Sequence, residues 1–103
     1  MTIKKSKNAR KFLEQRVGKL TFGRFLESIR LGEEQSLTHF AKSLGISATH
    51  LCDIEKGRKV VSPERAAKFA QALGYSENQF VRLTLQALVD QCGLKLQVEV
   101  KAI

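Results

Sequence analysis

Tryptophan is absent from this 103-residue chain, and proline, tyrosine and methionine occur once each. The single proline, Pro63, follows Ser62 and so stands where it opens a helix instead of breaking one. The two cysteines, Cys52 and Cys92, have no metal-ligand spacing, and with no secretory leader they are expected to remain reduced thiols. No apolar run is long enough to span a bilayer, and no hydrophobic leader follows the basic start. A cytoplasmic, nucleoid-associated protein without membrane contact is therefore expected. His39 and His50 lie eleven residues apart with no third ligand at a sensible spacing, which argues against a metal site. A glycine-rich phosphate loop, a nucleophile elbow and a supported carboxylate pair are all missing, and neither cysteine has an identifiable base. Enzymatic activity and a bound cofactor are not expected.

What is present is enough for one small domain. Apolar residues make up 43% of the chain, which excludes a disordered protein and allows a modest core. The net charge of +8 is unevenly spread. Lys4, Lys5, Lys7, Arg10, Lys11, Arg16, Lys19 and Arg24 face only Glu14 within residues 1–24, so that stretch carries +7. The remainder is almost neutral. Such a basic arm suits phosphate contacts, which release counterions; it also suits a solvated terminal tail.

Apolar periodicity predicts an all-α chain with one exception at its end. A short helix over about 8–17 would put Phe12, Leu13 and Val17 on one face. A helix over about 21–31 carries Phe22, Phe25, Leu26 and Ile29, with Gly32 as its terminator. Ser36 caps the next, whose inner stripe is Leu37, Phe40, Ala41 and Leu44 before Gly45. Ser47 caps a helix over about 48–56, with Leu51 and Ile54 inward and Gly57 behind it. Ser62-Pro63 opens another, burying Ala66, Phe69, Ala70 and Leu73 before Gly74. Ser76-x-x-Gln79 reads as a capping box for a last helix with Phe80, Leu83, Ala87 and Leu88 inward, ending near Cys92-Gly93. The parts are then an arm over 1–18, a helical domain over 19–92 and a tail over 93–103.

In the tail the period changes from helical to alternating. Leu94, Leu96, Val98 and Val100 alternate with Lys95, Gln97, Glu99 and Lys101, as in a half-buried strand. No second strand candidate exists, and one strand cannot satisfy its own backbone. Pairing with the same strand of a second subunit is the economical solution and predicts a homodimer. The alternative is a tail that orders on a partner protein. The last helix also has more apolar positions than one core face requires (Phe80, Leu83, Leu85, Leu88 and Val89), which suits either packing or an interface.

The most informative segment is Phe40-Ala41-x-x-x-Gly45-Ile46-Ser47-x-x-x-Leu51-x-x-Ile54-Glu55-x-Gly57. Small Ala41 lets two helices approach, Gly45 supplies a turn of about three residues, and Ile46, Leu51 and Ile54 seal the second helix to the core. Here the chain resembles the XRE family of lambda-repressor-like and Cro-like helix-turn-helix proteins, over about residues 20–75. The resemblance implies a five-helix fold and double-stranded DNA as partner, with helix 48–56 in the major groove. It assigns Ala48, Thr49, His50 and Asp53 to base edges. Ser47 falls to phosphate at the helix N-terminus, as do Arg58, Lys59 and, more weakly, Lys42. Arg30 and Glu55 match a structural ion pair of relatives.

Two departures stand out. Leu37 replaces a glutamine that in relatives touches phosphate, and Cys52 replaces a common serine and reads as packing. The reading positions hold no Arg, Lys, Gln or Asn, so dimer avidity and DNA shape are expected to carry more of the recognition. Three functions follow as expectations: a dimeric transcriptional repressor; an antitoxin resembling the HigA and HipB types, which binds a toxin protein and represses its own promoter; and an interaction module that has lost DNA binding.

Overall fold

A computed structural model describes residues 20–103, so the basic arm and the helix expected over 8–17 lie outside the described residues. Five helices follow one another: α1 (Phe22–Gly32), α2 (Leu37–Leu44), α3 (Ala48–Glu55), α4 (Pro63–Leu73) and α5 (Glu77–Gln91). The fifth begins after residue 75, so the five-helix unit extends beyond the segment on which the sequence resemblance rests.

Side-chain hydroxyls start four of them. Thr21, Ser36, Ser47 and Ser62 each accept a hydrogen bond from the backbone N–H three residues on, at 3.0–3.2 Å. The capping box expected at α5 does not form. Ser76 makes no side-chain cap bond, and Gln79 instead accepts from Arg82 Nε at 3.0 Å. Arg82 is buried, and Gln79 is drawn along the helix to it and not back to the cap.

All five helices end in the same way. An N–H five residues on bonds back across the last turn, with a second, shorter bond inside it. The long bonds are Gln35 to Arg30, Ile46 to Ala41, Arg58 to Asp53, Tyr75 to Ala70 and Leu94 to Val89. This pattern needs a left-handed residue at its corner. Gly45, Gly57, Gly74 and Gly93 supply it at four ends, with φ of 72–78°. At α1 the corner is Glu34, φ 55°. Gly32, expected to terminate α1, is instead its last helical residue.

The core gathers around Phe40, Phe80, Leu26, Leu51 and Ile54, all fully buried. Phe80 of α5 is met edge-on by Phe22 and Phe25 of α1, at centroid distances of 5.8 and 5.3 Å, and Tyr75 stacks on it at 6.1 Å. Val61, in the loop between α3 and α4, joins the core. Leu88, expected to face inward, is 43% exposed, whereas Arg82, Thr84 and Gln86 of the same helix are buried.

The tail departs from expectation. Residues 94–103 have no strand ladder, and no strand occurs among the described residues. Gln86, buried in α5, takes the role of a neighbouring strand. Its Nε2 donates to the Leu96 carbonyl and its Oε1 accepts from the Val98 N–H, both at 2.8 Å. A parallel strand grips a residue by the same two groups, here on either side of Gln97. Burial explains the arrangement, because an amide removed from water needs both of its functions bonded. Leu94 and Leu96 remain exposed, and Val98 and Val100 are half-buried.

Candidate nucleic-acid interface

Helix α3 is positioned from two sides. On one, α2 joins it through Gly45, Ile46 and Ser47, with Ala41 buried against the core. On the other, α1 approaches so closely that Gly23 has no room for a side chain. A Cβ there would overlap the Ile54 carbonyl oxygen and lie 2.8 Å from that of Glu55. Neither composition nor periodicity distinguishes Gly23 from any other helical glycine, so the sequence gives no warning of this contact.

Arg30 and Glu55 bind α1 to α3. Arg30 Nε donates to Glu55 Oε2 at 2.8 Å, and a second guanidinium nitrogen donates to Oε1 at 3.1 Å. A third donates to the Gln35 carbonyl at 3.1 Å, so all three nitrogens are engaged. The two side chains are 12% and 3% exposed. The hydrogen bond to Glu55 raises the Arg30 pKa above its ordinary value against the opposing effect of burial.

The outer face of α3 is open. Ser47, Thr49, His50, Asp53 and Lys59 line one shallow hollow of about 250 Å³. This brings together five of the eight positions assigned to nucleic acid. Ala48 stands beside it on the same helix, half-buried, and Lys42 lies exposed on α2. At the base of the hollow Ser47 Oγ accepts from the His50 N–H at 3.0 Å, which leaves its own proton available to a ligand. Leu37 is half-buried and packs against the core, so it offers no polar group at the start of α2.

Asp53 and Arg58 are bonded to each other. Arg58 Nε donates to Asp53 Oδ1 at 2.9 Å, with the side chains 58% and 24% exposed. This bond raises the guanidinium pKa. Another Arg58 nitrogen lies 3.7 Å from Cys52 Sγ, so Cys52 supports a charged side chain as well as filling space. The pair was legible in principle, since an Asp-x-x-x-Gly-Arg run across a helix-ending glycine sets the first and last residues face to face. Among the described residues no cluster of three or more His, Cys, Asp or Glu side chains could hold a metal ion. No described helix is long and apolar enough to cross a membrane.

No curated protein and no solved structure matches the chain. The sequence profile of the helix-turn-helix domain matches residues 21–83, from the cap of α1 into α5, which is more than half of the chain. With α2, its three-residue turn and the exposed α3 already in place, the chain belongs to the helix-turn-helix domain family, a fold of DNA-binding regulators.

Proposed function

We propose that this protein is a sequence-specific, dimeric transcriptional repressor of the lambda-repressor-like type that lays α3 in the major groove of double-stranded DNA. The observation that carries this reading is the hollow on the outer face of α3, where a polar helix start, a threonine, a histidine and a lysine converge around Asp53, whose carboxylate is bonded to Arg58. Thr49 offers a hydroxyl to a base edge or a methyl to thymine, Ala48 a methyl, and His50 a ring N–H. Ser47, Lys59, Arg58 and Lys42 would meet phosphates, which fix register without reading sequence. Dimerisation is supported by the tail. Gln86 satisfies one edge of it, while the backbone groups of Lys95, Gln97 and Glu99 have no partner among the described residues. A second copy pairing there would also cover Leu94 and Leu96, which are 51% and 62% exposed.

That same apolar surface favours one further reading, an antitoxin of a toxin–antitoxin operon that holds a toxin protein there while repressing its own promoter. A toxin-like gene beside this one, whose product copurifies with the protein, would support it.

Selection of bound duplexes from a random library at two salt concentrations tests the main proposal. An inverted repeat with half-sites about 34 Å apart is expected. Salt-sensitive binding with no enriched sequence would reduce the function to non-specific contact. An absence of binding at both salts would overturn the DNA reading.

A further inference from the structure

The end of α3 differs from the other four helix ends in what it sets across the closing turn. At three ends the residues joined by the long bond are apolar on both sides: Ala41 with Ile46, Ala70 with Tyr75, and Val89 with Leu94. This is the usual hydrophobic clasp of such a turn. At α1 the pair is Arg30 with Gln35, and Arg30 is fully committed to Glu55 and the Gln35 carbonyl. Only at α3 do two opposite charges meet there, Asp53 and Arg58, and they meet beside the hollow proposed to face DNA.

An unpaired Asp53 would be costly at this position. Its charge opposes the negative end of the helix, and it would repel the phosphates that the surrounding cations attract. The Arg58 bond offsets both effects. The backbone strengthens the arrangement, because the Arg58 and Lys59 N–H groups both donate to the Asp53 carbonyl, at 2.8 and 3.2 Å. One residue therefore holds the loop from its main chain and its first cation from its side chain. Of the five guanidinium donors, one goes to Asp53 and one lies towards Cys52, which leaves three for a ligand.

We propose that Asp53 is a positioning residue which reads no base and acts through Arg58, holding its guanidinium ready for a backbone phosphate. The inference rests on the reading that α3 faces DNA. Free arginine side chains lose rotamer freedom on binding, and Asp53 removes most of that loss in advance.

The test is a double-mutant cycle on the selected duplex, with folding checked by circular dichroism. Asp53→Ala is expected to weaken binding roughly 3- to 10-fold in the parent protein, the range set by freezing one long side chain. In an Arg58→Ala background the same change should have no effect or tighten binding. Asp53→Asn, which keeps an acceptor oxygen, should retain most of the parent affinity. Arg58→Ala should reduce the magnitude of the slope of log affinity against log salt by about 0.9, one phosphate, whereas Asp53→Ala, which keeps the Arg58 cation and removes only a carboxylate, should not reduce it. A changed base preference in Asp53→Ala, in either background, would make Asp53 a reader and overturn the proposal. Tighter binding by Asp53→Ala alone would also overturn it, leaving Asp53 a simple repeller. If Arg58→Ala binds like the parent, this inference fails while the DNA reading stands. If the parent binds no duplex, both fail.

Discussion

Glu34 occupies the left-handed corner of the α1 end, where glycine stands at the other four. A side chain there crowds the following carbonyl and costs on the order of 1 kcal/mol. Glu34→Gly is therefore expected to raise unfolding stability by up to about 1 kcal/mol, since the relief of strain outweighs the extra freedom of the unfolded chain. Urea unfolding of the two proteins, with equal denaturant slopes, measures it. Tyr75 allows a second check on a single residue, being the only tyrosine in a chain without tryptophan. Partial desolvation, and then the Glu33 carboxylate 3.3 Å away, raise the Tyr75 pKa above its ordinary value of 10.0. The folded state thus keeps the phenolic proton to higher pH than the unfolded state does. The resulting stability is complete below the unfolded pKa and is lost as pH rises through the folded one. Titration of the phenolate absorbance should give a higher midpoint for native than for denatured protein. Glu33→Gln should lower the native midpoint part of the way, because desolvation remains.

At the scale of elements, the position of α3 depends on a glycine that leaves no trace in the hydrophobic pattern. Gly23→Ala places a methyl group against the Ile54 and Glu55 carbonyls. Neither helix backbone can yield without moving the Arg30–Glu55 bonds. A destabilisation of about 3 kcal/mol is expected, at the upper end for overpacking, together with weaker DNA binding as α3 is displaced. Denaturant unfolding and duplex titration read the two effects separately. The helices themselves were legible from markers at their ends, a capping hydroxyl before Arg24, His39, His50 and Arg65 and a glycine after α2, α3, α4 and α5, so that α2, α3 and α4 are marked at both ends, α1 at its start and α5 at its close. Sequence reasoning failed where a marker was present but was taken up by a different partner. Gln79 has capping-box spacing yet bonds a buried arginine, and Gly32 precedes a turn whose corner falls two residues later. On the candidate site, the exposed face of α3 follows directly from helical spacing. The Asp53–Arg58 bond does not follow from helical spacing and is legible only when Gly57 is taken as a left-handed corner that folds the chain back over the helix end.

At the scale of the whole molecule, the alternating tail was recognised but its partner was not. Gln86 cannot be distinguished by pattern from a solvent-facing glutamine; only the fold reveals it as the group that holds Leu96 and Val98. The arrangement has a consequence for assembly. With short, weakly reading side chains on α3, one protomer offers few discriminating contacts, so binding two half-sites together is expected to supply most of the affinity. The free edge beside Gln97 and the exposed Leu94 and Leu96 are where a second copy would attach. Leu96→Asp puts a charge on that surface without touching the Gln86 bonds, which use only the backbone at Leu96 and Val98. Its helical content should therefore match the parent, while light scattering should report a monomer for the variant and the proposed dimer for the parent. Affinity for the full inverted repeat should fall by at least about 100-fold, and affinity for an isolated half-site should hardly change. A variant that stays dimeric would remove the tail from the interface and leave exposed Leu88 on α5 as the next surface to test. A monomeric variant that still binds the full repeat at parental affinity would show instead that α3 and its flanking cations discriminate without a second copy.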